Sequence, residues 1–282
     1  MKYDVIIVGS GPAGITAGIY AKRRKLSVLI ISKGNGTLSK AEKIDNYYGF
    51  PEGISGEELY LRGIKQAQNL EIETIEDEVL NIEYDGNFKV ETVNSKYEST
   101  NVILATGSNR VSPNISGIRK FEGKGVSYCA ICDAFFFRGK NVAVLGNGNY
   151  AVHEMEQLKP VVNSVSIITN GEKMIENRSE DIYVKETKIR EFRGTDKIEE
   201  IVFEDDTKEK IDGVFVAIGT ASSNDLARKI GARIENNHIV VSENMETTVP
   251  GLYACGDCTG GLLQISKAVY EGSKAGLAVF KK

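Results

Sequence analysis

The chain has 282 residues, enough for two domains that each bury a hydrophobic core. Its 41% hydrophobic and 26% charged residues are typical of a globular protein, and a formal net charge of -4 gives no reason to expect a nucleic-acid partner. No run of 18 apolar residues is present and the apolar start is too short for a signal segment, so we expect a cytoplasmic protein without a membrane contact.

A strand, loop, helix and strand are predicted at the start of the chain. Residues 3–8 form an apolar run typical of a buried parallel strand, and residues 26–31 predict the second strand. Between them a G-x-G-x-x-G loop precedes a helical pattern, which is the arrangement that binds a dinucleotide pyrophosphate at a helix N-terminus. The loop residues in question are Gly9, Gly11, Pro12, Ala13 and Gly14. The acid that usually binds the ribose after the second strand is absent, because Ser32 and Lys33 follow it.

A second glycine-rich unit follows about 135 residues later and predicts a second domain of related build. Its strand over 141–145 leads into the sequence GNGNYA and a helix that Pro160 stops. Residues 188–218 alternate like a β-meander, and residues 264–282 have a helical pattern with a small-residue face. We expect one domain over 1–112 and 245–282, and another over 113–244.

Cys129 and Cys132 form a C-x-x-C pair that is followed directly by Asp133. This spacing allows a disulfide to close with little backbone movement, and it also occurs in half of a zinc site. In a reducing compartment such a pair is more often catalytic or metal-binding than structural. Cys255 and Cys258 make a second pair, which leaves a four-thiolate zinc or iron–sulfur site as an alternative. We favour the redox interpretation and expect no metal.

The motifs GSGPAG, NYYGFPEGISGEEL, ATG, CAICD, GNGNYA, VAIG and YACGDCTGG, in this order, resemble the low-molecular-weight thioredoxin reductase family of flavoproteins. The resemblance implies an α/β fold of two Rossmann-like, three-layer ββα domains, in which an FAD domain is interrupted by a smaller nucleotide-domain-like unit. It also implies a homodimer that reduces thioredoxin. Besides the first glycine loop, the resemblance assigns FAD binding to Asn46, Ala105, Thr106, Gly107, Gly256, Asp257 and Gln264.

The resemblance further assigns roles to the three residues of the CAICD segment. Cys132 would face the flavin, Cys129 would attack the partner disulfide, and Asp133 would give or take a proton. These roles agree with thiol chemistry, since the thiolate is the nucleophile and each exchange needs a proton for the leaving sulfur.

The sequence departs from NADPH-dependent members where they carry a His-Arg-Arg cluster for the 2′-phosphate. Here residues 169–171 read Thr-Asn-Gly and Glu172 follows, with Lys173 and Arg178 as the nearest cations. Losing two arginines removes most of what selects NADPH. The chain is therefore most similar to ferredoxin-dependent flavin thioredoxin reductases. Two other donors stay open: NADH, whose ribose Glu172 could bind, and a deazaflavin.

We therefore expect an FAD enzyme that reduces thioredoxin or a similar protein disulfide with electrons from ferredoxin. A flavin-dependent oxidase of a small dithiol and a redox-inert flavin-binding docking protein are the alternatives. The basic run over 22–25 is expected to complete its helix end, and otherwise to attract an acidic ferredoxin. The aromatic run over 135–137 is expected in the core, or else in the flavin wall.

Overall fold

The structure is a computed structural model, and it describes residues 2–107, 113–175 and 182–280. Its strands are β1 (Lys2–Val8), β2 (Val28–Ser32), β3 (Glu73–Glu76), β4 (Val79–Tyr84), β5 (Phe88–Thr92), β6 (Lys96–Leu104), β7 (Val126–Ser127), β8 (Asn141–Leu145), β9 (Ser164–Ile168), β10 (Val184–Lys185), β11 (Ile189–Arg193), β12 (Glu200–Phe203), β13 (Lys208–Lys210), β14 (Gly213–Val216), β15 (Ile234–Glu235), β16 (His238–Ile239) and β17 (Leu252–Ala254). Its helices are α1 (Pro12–Arg23), α2 (Gly56–Asn69), α3 (Ala130–Asp133), α4 (Asn149–Leu158), α5 (Ser223–Lys229) and α6 (Ile265–Ala278).

The chain divides into two compact units, residues 1–110 with 222–282 and residues 111–221. The second boundary lies near residue 222, which corrects the predicted position at 245. The reason is packing: α5 lies against β4, and the Lys229 ammonium donates to the Leu80 carbonyl oxygen at 3.3 Å. The segment that contains α5, β15 and β16 therefore belongs to the first unit.

The first unit is built on a seven-stranded sheet. Strands β3, β2, β1 and β6 lie side by side in parallel, and β17 pairs in parallel with the end of β6. The nine-residue β6 also pairs through its first half with the antiparallel strand β5, which in turn pairs with the antiparallel strand β4. The central strands β1 and β2 and the second half of β6 are largely apolar because both faces of the sheet are covered there, as the fully buried Ile6 and Ile7 illustrate.

Helices α1 and α6 cross very closely on one face of this sheet. Hypothetical Cβ atoms on Gly272 and Gly276 of α6 would lie 2.2 Å and 2.3 Å from the Ala13 and Ala17 carbonyl oxygens of α1. Real Cβ atoms do not approach so closely, so only glycine permits this crossing. The predicted small-residue face of the last helix is thus its contact with the first helix.

The second unit repeats the parallel arrangement on a smaller scale. Its five-stranded sheet has the order β10, β9, β8, β14, β7, with α4 packed on β8 and β9. The predicted meander is present as the antiparallel strands β11, β12 and β13, followed by β14. These units form the parallel, Rossmann-like α/β arrangement predicted from the sequence. No helix of the described residues is long and apolar enough to cross a membrane.

Candidate active site

Three of the predicted cofactor loops meet at one edge of the first sheet. Strands β1, β6 and β17 are parallel and in register, with Val8 beside Leu104 and Leu104 beside Ala254. Their carboxyl ends therefore lie together, and the glycine loop, the Ala105–Gly107 turn and the Gly256–Asp257 turn each follow one of them. The carboxyl edge of a parallel sheet is where such folds bind nucleotides.

The glycine loop has the geometry that a pyrophosphate needs. Gly9 has a φ of +113°, and a Cβ there would lie 2.2 Å from the Ala105 carbonyl oxygen, while a Cβ on Gly14 would lie 1.9 Å from the Gly9 carbonyl oxygen. By contrast, a Cβ on Gly11 would meet nothing within 4 Å. Gly11 is the N-cap of α1 and no side chain caps this helix, so the open space lies at the positive end of its dipole. The first glycine loop therefore fits the pyrophosphate of FAD.

The Ala105–Gly107 turn is fixed by a residue that the sequence did not single out. The Thr106 hydroxyl oxygen accepts from the Ser223 backbone N–H at 2.9 Å, and the two hydroxyl groups lie 2.7 Å apart. Ser223 is fully buried at the start of α5. The only sequence signal is the S-S-N-D pattern, in which Ser222 and Asp225 form a capping box.

The Gly256–Asp257 turn is held by an ion pair on α6. The Glu271 carboxylate accepts from the Gly256 N–H at 2.8 Å and lies 3.0 Å from the Lys267 ammonium. Lys267 in turn donates to the Gly256 carbonyl oxygen at 2.8 Å. Both side chains are largely buried, so their bonds are screened little by water. From the sequence, the i,i+4 spacing of Lys267 and Glu271 predicts an ion pair on the helix. It does not predict that this pair bonds to the Gly256–Asp257 turn.

Two predicted FAD ligands, Asn46 and Gln264, are 218 positions apart in sequence and hydrogen-bonded to each other. The Asn46 amide nitrogen donates to the Gln264 side-chain oxygen at 3.0 Å. At the end of β2, where the ribose acid is missing, Lys33 pairs with Glu78 at 2.7 Å. Glu78 is only 4% exposed and lies in the connection between β3 and β4, so a carboxylate reaches the end of β2 from another segment of the chain.

The predicted redox pair lies in the second unit and is closed as a disulfide. Cys129 and Cys132 have Cα atoms 5.3 Å apart, and the Cys132 N–H also points at the Cys129 sulfur at 3.2 Å. Cys129 is 1% exposed, whereas Cys132 is exposed. Asp133 reaches the pair through Ser127, whose hydroxyl donates to the carboxylate at 2.6 Å and accepts from the Cys129 N–H at 3.1 Å. Two successive hydrogen bonds thus connect the Asp133 carboxylate to the backbone N–H of Cys129.

The second cysteine pair has a different environment. Cys255 and Cys258 are fully buried free thiols, and Cys258 donates to the Cys255 carbonyl oxygen at 3.3 Å. Burial raises the pKa of Cys258 to about 12 and the pKa of Cys255 well above its ordinary value. Among the described residues, no group of three or more His, Cys, Asp or Glu side chains is placed to bind a metal ion.

The basic run over 22–25 and the aromatic run over 135–137 each have two alternative roles predicted from the sequence. In the basic run, Lys22 and Arg23 lie in the last turn of α1, as expected. Lys22 also donates to the Glu71 carbonyl oxygen at 2.8 Å and Arg24 to the Val279 carbonyl oxygen at 2.5 Å, so these two side chains bond to the chain just after α2 and α6. In the aromatic run only Phe137 is buried. Phe135 and Phe136 are 73% and 69% exposed, which corrects the expectation that all three belong to the core.

Comparison with known proteins agrees with this geometry. The family model for pyridine nucleotide-disulphide oxidoreductases matches residues 3–272. A thioredoxin reductase of Bacillus subtilis is 33% identical and aligns over 98% of this chain and 93% of its own. The structure of the atypical thioredoxin reductase TRi from Desulfovibrio vulgaris Hildenborough has a TM-score of 0.92 and 37% identity, covering 98% of this chain and 96% of that one.

A ferredoxin-flavin thioredoxin reductase from Clostridium acetobutylicum has a TM-score of 0.75 and 35% identity, covering 99% of this chain and 96% of that one. The match to the family model and to the Bacillus subtilis relative extends over nearly the whole chain. The chain therefore belongs to the pyridine nucleotide-disulphide oxidoreductase family, among its thioredoxin-reductase-like members, which are FAD-binding flavoproteins with a redox-active cysteine pair.

Proposed function

We propose that this flavoprotein reduces the disulfide of thioredoxin, or of a similar small protein, in the cytoplasm with electrons from reduced ferredoxin. The observation that carries the choice of donor is the state of the second glycine loop. In that loop the Asn147 side chain donates to the Lys173 carbonyl oxygen at 3.1 Å, and the Ile175 N–H donates to the Asn147 carbonyl oxygen at 2.8 Å. Residues 173–175 of the same unit thus hydrogen-bond to the loop that would otherwise bind a second nucleotide.

The neighbouring turn supports the same donor. Thr169 is 4% exposed and donates to the Glu172 carbonyl oxygen, while the Asn170 side chain accepts from the Ile189 N–H at 2.8 Å. These polar groups bond within the protein, at the place where NADPH-dependent members have a basic cluster. Glu172 is exposed there and would repel a 2′-phosphate. Arg178 lies outside the described residues.

The proposed reaction needs two electrons and two protons for each disulfide. Bound FAD can store an electron pair, which reconciles a one-electron donor with a two-electron acceptor. Within the protein, reduction breaks the bond between Cys129 and Cys132 and leaves two thiols. One thiolate then attacks the partner disulfide, and the second displaces the reduced partner while the protein disulfide closes again.

The family order gives the first attack to Cys129 and places Cys132 towards the flavin. Cys129 is 1% exposed in the disulfide form, so its packing has to open before it attacks a protein substrate. The family order gives Asp133 the proton for the leaving sulfur. Ser127 holds the Asp133 carboxylate beside the pair, because its hydroxyl donates to that carboxylate and accepts from the Cys129 N–H.

A protein substrate is favoured by the apolar surface beside the pair. Ile131 is 45% exposed and lies between the two cysteines, and Phe135 and Phe136 follow within four residues of Cys132. Exposed large apolar side chains next to a reactive group are typical of a protein-binding surface. We propose that these three side chains contact thioredoxin.

Anaerobic bleaching of the bound flavin tests the donor. We expect reduced ferredoxin to bleach the holoprotein and to support thioredoxin reduction, whereas NADPH and NADH at millimolar concentration should bleach it at less than a hundredth of that rate. A reduced deazaflavin compound serves as the third donor arm. Rapid bleaching by NADPH would contradict the ferredoxin proposal.

A cysteine variant tests the route of the electrons. In Cys132→Ser the flavin should still be bleached by the physiological donor, but thioredoxin reduction should fall at least a thousandfold. Cys258→Ser, at a buried thiol of the first unit, is the matched control and should keep normal turnover. Normal turnover in Cys132→Ser would contradict the role of the pair.

We also propose a homodimer. Helices α1, α2 and α6 and residues 47–50 enclose an open groove of about 380 Å³. Ser10, Gly11 and Pro12 of the first glycine loop also line this groove, so its inner part belongs to the proposed FAD site. Tyr48 at its side is 98% exposed. An exposed tyrosine at the rim of this groove favours a protein contact there, and a second copy of the chain is the partner that we propose.

A further inference from the structure

A buried carboxylate lies behind the redox pair and has no part in the proposed reaction. Glu154 on α4 is 2% exposed, although glutamate is seldom fully buried. Its carboxylate accepts from the Ala130 N–H at 3.0 Å. Ala130 is the residue directly after Cys129, so the carboxylate bonds to the redox turn itself.

The bond lies at a position that requires an acceptor. The first N–H groups of a helix have no partner inside the helix, and Ala130 is the first residue of the four-residue α3. Around it, the Cys129 N–H donates to the Ser127 hydroxyl and the Cys132 N–H points at the Cys129 sulfur. Of these three N–H groups, only that of Ala130 donates to a side chain on a long helix, α4.

These contacts differ in what happens when the disulfide opens. The contact between the Cys132 N–H and the Cys129 sulfur depends on a sulfur that changes its chemical state in every cycle. The bond from Glu154 does not, since α4 is part of the packed core of its unit through the buried Met155 and Leu158. Opening of the disulfide therefore removes neither partner of the hydrogen bond between Glu154 and the Ala130 N–H.

We propose that Glu154 is a positioning residue that keeps the reduced thiols of Cys129 and Cys132 close enough to close again. A restraint on the dithiol lowers the entropy that is lost when the ring forms, so it favours the disulfide at equilibrium. Glu154 acts on the pair through the Ala130 backbone and touches neither sulfur in this assignment. The inference rests on the redox role of the pair but not on the identity of donor or acceptor.

The test is the thiol–disulfide equilibrium of the full-length holoprotein with dithiothreitol, which needs neither ferredoxin nor thioredoxin. In Glu154→Ala we expect the equilibrium constant for disulfide formation to fall about tenfold, which corresponds to a potential about 30 mV higher for a two-electron couple. Glu154→Gln keeps an oxygen that can accept from Ala130, and we expect its constant to stay within threefold of the wild type.

Glu156→Ala is the matched control, because Glu156 lies on the same helix, is exposed and pairs only with Lys159 in the contacts described for it. Its equilibrium constant should not change. If Glu154→Ala does not fold, the amide hydrogen exchange of Ala130 in reduced Glu154→Gln and wild type provides the second measurement, and similar protection is expected.

Either of two results would overturn the assignment. One is an equal loss in Glu154→Ala and Glu154→Gln, which would mean that the bond retained by glutamine is irrelevant. The other is an unchanged equilibrium in both variants together with a lower melting temperature, which would make Glu154 a packing residue only. Loss of electron transfer from ferredoxin with a normal thiol equilibrium would concern the proposed donor and leave this inference intact.

Discussion

Of the four cysteines only Cys132 is exposed, since Cys129 is 1% exposed, so the two pairs differ in having or lacking one accessible sulfur. Cys132 is exposed, whereas Cys255 and Cys258 are fully buried next to the Gly256–Asp257 turn. A thiol reacts as its thiolate, and burial disfavours the charged form. Two C-x-x-C motifs with the same spacing therefore have opposite chemical character, which the motif alone does not reveal.

The buried thiols predict how stability depends on pH. Burial raises the pKa of Cys258 to about 12 from 9.0, so above pH 9 the unfolded chain loses a proton that the folded chain keeps. The free energy of unfolding must then fall as pH rises, by about 1.4 kcal/mol per pH unit for each such thiol. We expect urea unfolding between pH 8 and 10 to show this loss, and Cys255→Ala/Cys258→Ala to show a smaller slope.

Between pH 8 and 10, the buried tyrosines and the redox pair contribute little to the pH dependence of the free energy of unfolding. Tyr3 and Tyr253, whose pKa values burial raises to about 12, have an ordinary value of 10.0 and contribute mainly above that pH. Cys129 and Cys132 do not titrate while they form the disulfide. A slope in the double variant equal to that of the wild type would contradict the assignment.

At the scale of elements, the contact between α1 and α6 connects the fold to the cofactor site. Helix α1 begins at the glycine loop, and α6 carries the ion pair that holds the Gly256–Asp257 turn. Because glycines of α6 meet carbonyl oxygens of α1, the distance between the helices sets the distance between two of the loops that we predict to bind FAD. A change in this crossing should therefore affect both stability and FAD retention.

Gly276→Ala tests this connection. Its Cβ would lie 2.3 Å from the Ala17 carbonyl oxygen, and overpacking of this kind costs about 1–3 kcal/mol. We expect a lower melting temperature and faster loss of FAD on dilution. Gly63→Ala on α2 is the matched control: its Cβ would be 3.8 Å from Ile15, and it should be neutral or stabilise by up to about 1 kcal/mol. Equal effects in both variants would contradict the close crossing.

The sequence predicts these elements well where the signal is local. The glycine loop, the Ala105–Gly107 turn and the Gly256–Asp257 turn each follow a short apolar strand, and strand order places them together. Ser223, Glu271 and Glu154 were missed because each acts on a loop far away in sequence, through a bond that depends on three-dimensional packing. The return of the chain to the first unit near residue 222 was misplaced for the same reason.

At the scale of the whole molecule, the two related glycine loops differ in what lies in front of them. The first leaves space in front of Gly11 for a pyrophosphate, whereas the second bonds its own residues 173–175 to Asn147. A missing basic cluster is visible in the sequence, but the bonds that cover the second loop are not. The two observations together favour a donor that delivers electrons without binding in the second unit.

The assembly of the molecule gives the last prediction. If two copies meet at the rim of the groove of the first unit, around Tyr48, light scattering should give twice the chain mass of 30.8 kDa at micromolar concentration. Tyr48→Asp would bring a charge into that contact, and burying an unpaired charge is costly, so the dimer dissociation constant should rise at least tenfold. Tyr183→Asp is the control, since Tyr183 is also exposed, at 61%, but belongs to the second unit. A monomeric wild type, or a Tyr48→Asp variant as dimeric as the control, would contradict an interface around Tyr48.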